Sequence, residues 1–261
     1  MFRTAIAAMA ITVLALPGCG SGSEADASPG GASSPAGTTE TTVSTGSTGS
    51  TSPSKEQSVC PNPHGGDCLG DLEPGTYRTS TFKPRITYTV PAGWHNAEDL
   101  PGNFQLYQQE DSQDGALGGS YLGIYQNVDA AAINCDEAKQ EGVGSTPAEL
   151  VAWYESIPGL VVSPPRTVTV GGLRGFQIDL ALEPGVDTCS YDQYRGIPLF
   201  IGNGVSQVHH VILEEIDVRL VILGWRKGNV MMEITNVKTQ HSADEFRAAL
   251  QPILNSLRFQ G

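Results

Sequence analysis

Arg166-Thr167-Val168-Thr169-Val170-Gly171-Gly172-Leu173-Arg174-Gly175-Phe176-Gln177-Ile178-Asp179-Leu180-Ala181-Leu182 reads as two strands around a glycine turn. Polar and apolar residues alternate into the Gly171-Gly172 pair, and they alternate again from Phe176 to Leu182. A period of two is the signature of a half-buried strand, and a Gly-Gly pair suits the tight reversal of a β-hairpin. The glycines also invite a phosphate-loop reading. That chemistry needs a helix N-terminus after the glycines, with Lys and Ser/Thr; here a strand follows, so nucleotide binding is set aside.

The same period governs much of the chain on either side. Toward the C-terminus, residues 205–213, 218–223 and 229–237 are strongly β-prone, with Gly228-Asn229 expected as the turn between the last two. Toward the N-terminus, residues 77–82 lead through Pro84 into Ile86-Thr87-Tyr88-Thr89-Val90, which Pro91-Ala92-Gly93-Trp94 ends. Residues 104–108 and 121–128 follow as further strands around a polar loop.

Two segments carry helical signals instead. Ser145-Thr146-Pro147-Ala148-Glu149 supplies a cap, a proline at the start and an acid in the first turn; Leu150, Val151, Trp153, Tyr154 and Ile157 then form an apolar face before Pro158-Gly159. Trp153 and Tyr154 are read as core packing. Ser242 and Glu245 stand at capping-box spacing ahead of Phe246, Leu250, Ile253 and Leu254. Pro252 falls inside that run and predicts a kink or an early stop. Strands in hairpins with single helices predict an α+β domain, an antiparallel sheet carrying helices on its faces.

Val90-Pro91-Ala92-Gly93-Trp94 after a strand, the mid-chain helix, the strand-Gly-Gly-strand unit and a terminal helix running into Asn255-Ser256-Leu257-Arg258-Phe259 resemble the PsbP-like superfamily. That family includes the extrinsic photosystem protein and LpqN-type actinobacterial lipoproteins. The resemblance covers most of residues 76–259 and implies an α/β/α sandwich around an antiparallel sheet, in an accessory or binding protein. It transfers no functional residue, because its motifs mark turns and packing.

The N-terminus has the parts of an export signal. Arg3 supplies positive charge, and residues 5–16 are apolar except for Thr12. About a dozen residues suits a signal-peptide core and falls short of the roughly 20 that span a bilayer. Leu16-Pro17-Gly18-Cys19 is similar to the bacterial lipoprotein signal, which implies that Cys19 receives a diacylglyceryl group and becomes the first residue after cleavage. Pro17 departs from that pattern, and Ala25-Asp26-Ala27 is a rival cleavage site, but one set too far from the apolar run. Acyl chains at Cys19 would give stable anchoring at the extracytoplasmic face of the cell membrane. The expected organisation is a signal peptide over residues 1–18, a lipidated, disordered Ser/Thr/Gly-rich tether over 19–58, and a PsbP-like globular domain over 59–261. The tether has nothing apolar to bury. As Gly/Ser-rich coil it would span about 35 Å root-mean-square.

The 261-residue chain has a net charge of −13 and only 16% charged residues, which argues against nucleic acid and against adhesion to an anionic lipid surface. The basic residues are scattered, and no basic patch is visible. Apart from Cys19 there are four cysteines, Cys60, Cys68, Cys135 and Cys189, an even set that suits an oxidising compartment. Three pairings are open; a local Cys60–Cys68 clip with a cross-domain Cys135–Cys189 bridge is favoured. Metal ligation by Cys60, Cys68 and the intervening His64 matches no standard zinc spacing, and neither metal nor cofactor is expected.

No catalytic motif stands out: there is no G-x-S-x-G, no H-E-x-x-H and no Walker sequence. His209 and His210 are adjacent in a strand, so their rings point to opposite faces; one of them with His241 would suffice for a metal, but a surface or satisfied core histidine is the simpler reading. Glu110-Asp111-Ser112-Gln113-Asp114-Gly115 has the acids of a calcium loop without its spacing. Three functions remain. The leading one is a non-enzymatic binding or accessory module of the cell envelope, with an envelope protein or a small apolar ligand, held between sheet and helix, as its partner. The others are an envelope hydrolase with a site assembled from distant residues, and a structural or stress lipoprotein without a specific ligand.

Overall fold

The computed structural model describes residues 69–109, 119–136, 138–191, 194–202 and 205–261, without the side chains of 205–209. Cys19, Cys60, Cys68 and His64, the export signal, the tether and the 110–115 loop lie outside the described residues. In chain order the elements begin with β1 (Gly70–Leu72), β2 (Gly75–Arg78), β3 (Arg85–Val90), β4 (Trp94–Asp99), β5 (Asn103–Gln108), β6 (Tyr121–Gln126) and β7 (Asp129–Ala130). Helix α1 (Pro147–Ser156) precedes β8 (Leu160–Val162), β9 (Arg166–Val170), β10 (Leu173–Leu182), β11 (Cys189–Tyr191), β12 (Tyr194–Gly202) and β13 (Val205–Leu213). The chain continues with β14 (Ile216–Trp225), β15 (Gly228–Val237), α2 (Ala243–Ser256) and β16 (Arg258–Gln260).

Nine strands form the main antiparallel sheet in the order β1-β4-β5-β6-β15-β14-β10-β8, with β9 also paired to β10. Alternation along its central strands divides the core in two. Ile178 and Leu180 of β10, Val218, Leu220 and Ile222 of β14, and Met231 of β15 point to one face. Val221, Leu223, Val230, Met232 and Ile234 point to the other. The first face packs against Leu150, Val151 and Tyr154 of α1, together with Ile197, Leu199, Phe200 and Ile212 of a four-stranded sheet made of β11, β12, β13 and β7. The second packs against Phe246, Leu250 and Ile253 of α2, and against Tyr77, Ile86, Tyr88 and Val90 of a three-stranded sheet, β16-β3-β2.

The α+β expectation of a sheet with helices on its faces, and the α/β/α sandwich that the resemblance implied, are therefore corrected. The described chain has sixteen strands and two helices, and each face of the main sheet carries one short helix beside a small sheet. The reason is in the hairpins. A sheet face needs an apolar cover, and a second sheet with one apolar side covers it as well as a helix does.

Local chemistry explains the helix ends. Thr146 Oγ1 accepts from Glu149 N while the Glu149 carboxylate accepts from Thr146 N, and Ser242 and Glu245 repeat the exchange at α2. These reciprocal bonds satisfy amides that have no partner within the helix. Pro252 does not stop α2, which runs through it to Ser256. Both Pro252 and Ala248, whose carbonyl loses its bond there, are exposed, so water can take the place of the missing N–H. The β14–β15 turn also differs from expectation: Gly228 pairs with Trp225, and the reversal falls on Arg226-Lys227, with Arg226 in the left-handed region at φ 53°. Cys135 and Cys189 form a disulfide with a Cα separation of 5.4 Å, the cross-domain bridge read from the sequence.

Candidate functional site: a groove between the main sheet and helix α2

The β9–β10 end of the main sheet and the second half of α2, which packs on that sheet, leave a groove of about 460 Å³ between them. Its position follows from a few small residues. Gly171 and Gly172 turn the hairpin at φ 58° and 91°, angles that β-carbon-bearing residues resist. Gly171 O accepts from Phe259 N at 3.2 Å, and a β-carbon on Gly171 would meet the Phe259 ring at 2.5 Å. The hairpin tip is thus pinned to β16. At the other end of the turn, a β-carbon on Gly175 would lie 1.8 Å from Ile222 O, so only glycine lets β10 approach β14 there.

The floor of the groove is apolar: Val168 and Val170 of β9, Val221 of β14, and Met232 and Ile234 of β15. Gln251, Leu254 and Asn255 of α2 form a wall, spaced so that they share one helix face. Gln177, Arg219 and Arg258 complete the lining with polar groups. Gln251 Nε2 donates to Asn255 Oδ1 at 2.8 Å. Arg258 Nη1 donates to the carbonyls of Asn255 and Leu257 at 3.0 and 2.5 Å, which ties its guanidinium to the negative end of α2.

Behind Arg219 lies an arginine cluster. Asp179 accepts from Arg219 Nε at 2.6 Å and Nη2 at 3.0 Å, a bidentate pair, and nitrogens of Arg166 and Arg247 stand 3.6 and 3.5 Å from the same carboxylate. Burial opposes ionisation of Asp179. The Arg219 hydrogen bonds and the three positive charges outweigh it, and they hold the carboxyl below the usual aspartate range. The expectation from the sequence is of scattered basic residues without a patch. The fold brings Arg166, Arg219, Arg247 and Arg258 together from β9, β14, α2 and β16, so no sequence window contains the cluster. The readable signal was the strand period, which puts Arg219 on the same face as Val221.

A second polar constellation lies inside the core, on the opposite face of the sheet. Glu233, 1% exposed in the middle of β15, accepts at Oε2 from Tyr121 Oη at 2.8 Å and lies 2.7 Å from His210 Nδ1. The His210 ring stacks on Phe200 at 4.2 Å and meets the edge of Tyr125 at 4.3 Å. Gln105 Nε2 donates to Tyr125 Oη at 2.9 Å. A β-carbon on Gly123 would sit 2.2 Å from that hydroxyl, so the glycine makes room for it. Burial, and then the Glu233 carboxylate, push Tyr121 and Tyr125 far above the ordinary tyrosine value; both hydroxyls stay neutral. Glutamate, histidine and tyrosine in contact are residue types that enzymes use, but Glu233 and His210 line neither this groove nor the other two cavities described next. His210 is a satisfied core histidine, and His241 stacks beside Phe246. Among the described residues, no group of three or more His, Cys, Asp or Glu is placed to hold a metal ion.

Two other depressions are simpler. One of about 190 Å³ lies beside the Cys135–Cys189 bridge against Ile133, Ile157 and Ile197. The other, about 610 Å³ and more open, surrounds the Arg226-Lys227 turn, where Arg226 lies over its neighbour Trp225. The first adds only Asp187 and Thr188 to its apolar lining, and the second is mostly polar; the groove sets two arginines, two glutamines and an asparagine around apolar residues.

No family model matches the chain, and no curated protein matches it. Two solved structures are similar in shape. A protein of Bacteroides thetaiotaomicron VPI-5482 is 14% identical, covers 67% of this chain with 45% of its own and has a TM-score of 0.31; this chain therefore spans less than half of its length. Cyanobacterial PsbP (CyanoP) from Synechocystis sp. PCC 6803 is 10% identical, with 74% of this chain and 98% of that one covered and a TM-score of 0.34. The second bears the family name that the sequence motifs resemble.

Proposed function

We propose that this chain is an envelope lipoprotein whose folded domain is a non-enzymatic binding module, with the groove beside α2 as its ligand seat. The acyl group on Cys19 holds it at the extracytoplasmic face of the membrane, and the tether gives the domain reach. The observation that carries the binding reading is the chemistry of the lining. The half-buried Val168, Val170 and Leu254 offer contact area, and threonine, glutamine, asparagine and arginine offer hydrogen bonds, while among the described residues the lining holds no carboxylate, histidine, cysteine or lysine. Such a surface can hold and orient a molecule. It has no general base and no activated nucleophile to transform one.

Two measurements test this. Intact-mass analysis of the membrane fraction should find a species beginning at Cys19 with added acyl mass, and Cys19→Ala should move the protein to the soluble fraction; a membrane-bound Cys19→Ala chain overturns the anchor. Native mass spectrometry of the purified chain should find a bound small molecule that is lost in Leu254→Trp, where the indole fills the groove. Turnover of ester, peptide or glycoside substrates that a single substitution abolishes would overturn the non-enzymatic reading.

A further inference from the structure

Resting on the reading of the groove as a ligand seat, we infer that its occupant is an anionic amphiphile, with a carboxylate or phosphate head and an apolar body. The first ground is local charge. Arg166, Arg219, Arg247 and Arg258 are opposed here by Asp179 and by Asp244, which is 99% exposed. Positive charge is therefore in excess around the groove, in a chain whose overall charge is −13. A cleft of one sign with low-dielectric walls concentrates counter-charged ligands, whatever the sign of the whole molecule.

The second ground is the supply of donors. Arg258 bonds only backbone carbonyls, and it has no carboxylate partner among the described residues. Asn255 lines the groove and accepts from Gln251 through Oδ1, which leaves its amide nitrogen as the donor of that side chain. A guanidinium beside an amide N–H recognises an anionic head through charge-assisted bonds. The third ground is the floor. An inorganic anion would leave the half-buried Val168, Val170 and Leu254 wet, above the fully buried Val221, Met232 and Ile234, and a neutral hydrocarbon covering them would strip water from the arginines without replacing its hydrogen bonds. Only a molecule with both parts satisfies both surfaces.

The test is titration calorimetry on the full chain carrying Cys19→Ala, with decanoate, decyl phosphate, decanol, decylammonium and inorganic phosphate below their aggregation concentrations. Decanoate or decyl phosphate should bind, more weakly as salt is raised, and decanol and decylammonium should bind at least about 10-fold less tightly. The stronger of the two anions identifies the head group. Arg258→Gln should weaken the anion about 10-fold, and Arg258→Lys, which keeps the charge, should recover part of the loss. If decanol binds as tightly as decanoate and Leu254→Trp abolishes both, the anionic inference fails and the ligand seat stands. If inorganic phosphate matches decyl phosphate, the apolar body is excluded. If no probe binds, both readings fall.

Discussion

Glu233 shows what one polar residue costs and returns inside a β core. Its neighbours on β15 are Met232 and Ile234, and its carboxylate is enclosed by Tyr121, His210 and, beyond them, Phe200 and Tyr125. Removing it leaves Tyr121 Oη without its acceptor and opens a void. Glu233→Ala should therefore lower the unfolding free energy by roughly 3 kcal/mol, read from urea denaturation. A loss below about 0.5 kcal/mol, the level of a neutral surface change, would mean that the network does not hold the core together. Asp179 is the other informative residue. Its folded pKa lies below the ordinary aspartate value of 3.8, so the unfolded chain takes up this proton first as the solution is acidified. The stability it contributes is present above that ordinary value and is lost as the pH falls through the depressed one. Urea midpoints measured between about pH 5 and pH 2 should therefore fall less steeply in Asp179→Asn than in the native chain; parallel curves would show that the arginine cluster does not stabilise the folded carboxylate.

At the scale of elements, α2 bears the most on the site. One of its faces buries Phe246, Leu250 and Ile253, and another supplies Gln251, Leu254 and Asn255 to the groove. Its start depends on the Ser242–Glu245 exchange. Ser242→Ala should cost about 1 kcal/mol, seen as a lowered urea midpoint. Because the capping residues are a full helix away from Leu254, binding in the groove should survive; a stability change below about 0.3 kcal/mol would show the cap to be redundant. The capping boxes of both helices were legible in the sequence because a cap is a local device, decided by residues three positions apart. Pro252 is read only in part for the same reason. The local rule allows a kink or an early stop, and the stop does not occur: α2 runs on to Ser256, with Ala248 and Pro252 both exposed to water.

Over the whole molecule, legibility falls as sequence separation grows. Many of the strands were read from their period, and hairpins such as β9–β10 from their glycines, but β4 and β12, which carry Trp94 and Phe200, were not read as strands. What escaped was the way the small sheets stack on the large one, since Tyr88 and Phe200 are apolar strand residues whose text does not say which sheet they will cover. The groove escaped for a related reason. Arg166, Arg219, Arg247 and Arg258 are each unremarkable in their own segment; Arg219 and Arg258 meet in the lining, and Arg166 and Arg247 join Arg219 at Asp179, which the register of β10 on β14 sets opposite it, so the positive wall exists only in the fold.

That wall is completed late in the chain. Strand β3 waits for β16, and the hydrogen bond from Gln260 to Thr87 closes a separation of 173 residues, while Phe259 N holds the hairpin tip at Gly171. As the polypeptide emerges from its N-terminus, one edge of β3 has no neighbour until residues 258–260 arrive, and an open strand edge is a template for the wrong partner. Pairings this distant in sequence form slowly. The groove proposed as a ligand seat and the protection of that edge are therefore acquired in the same closing step, so a nascent chain that has not finished folding has neither.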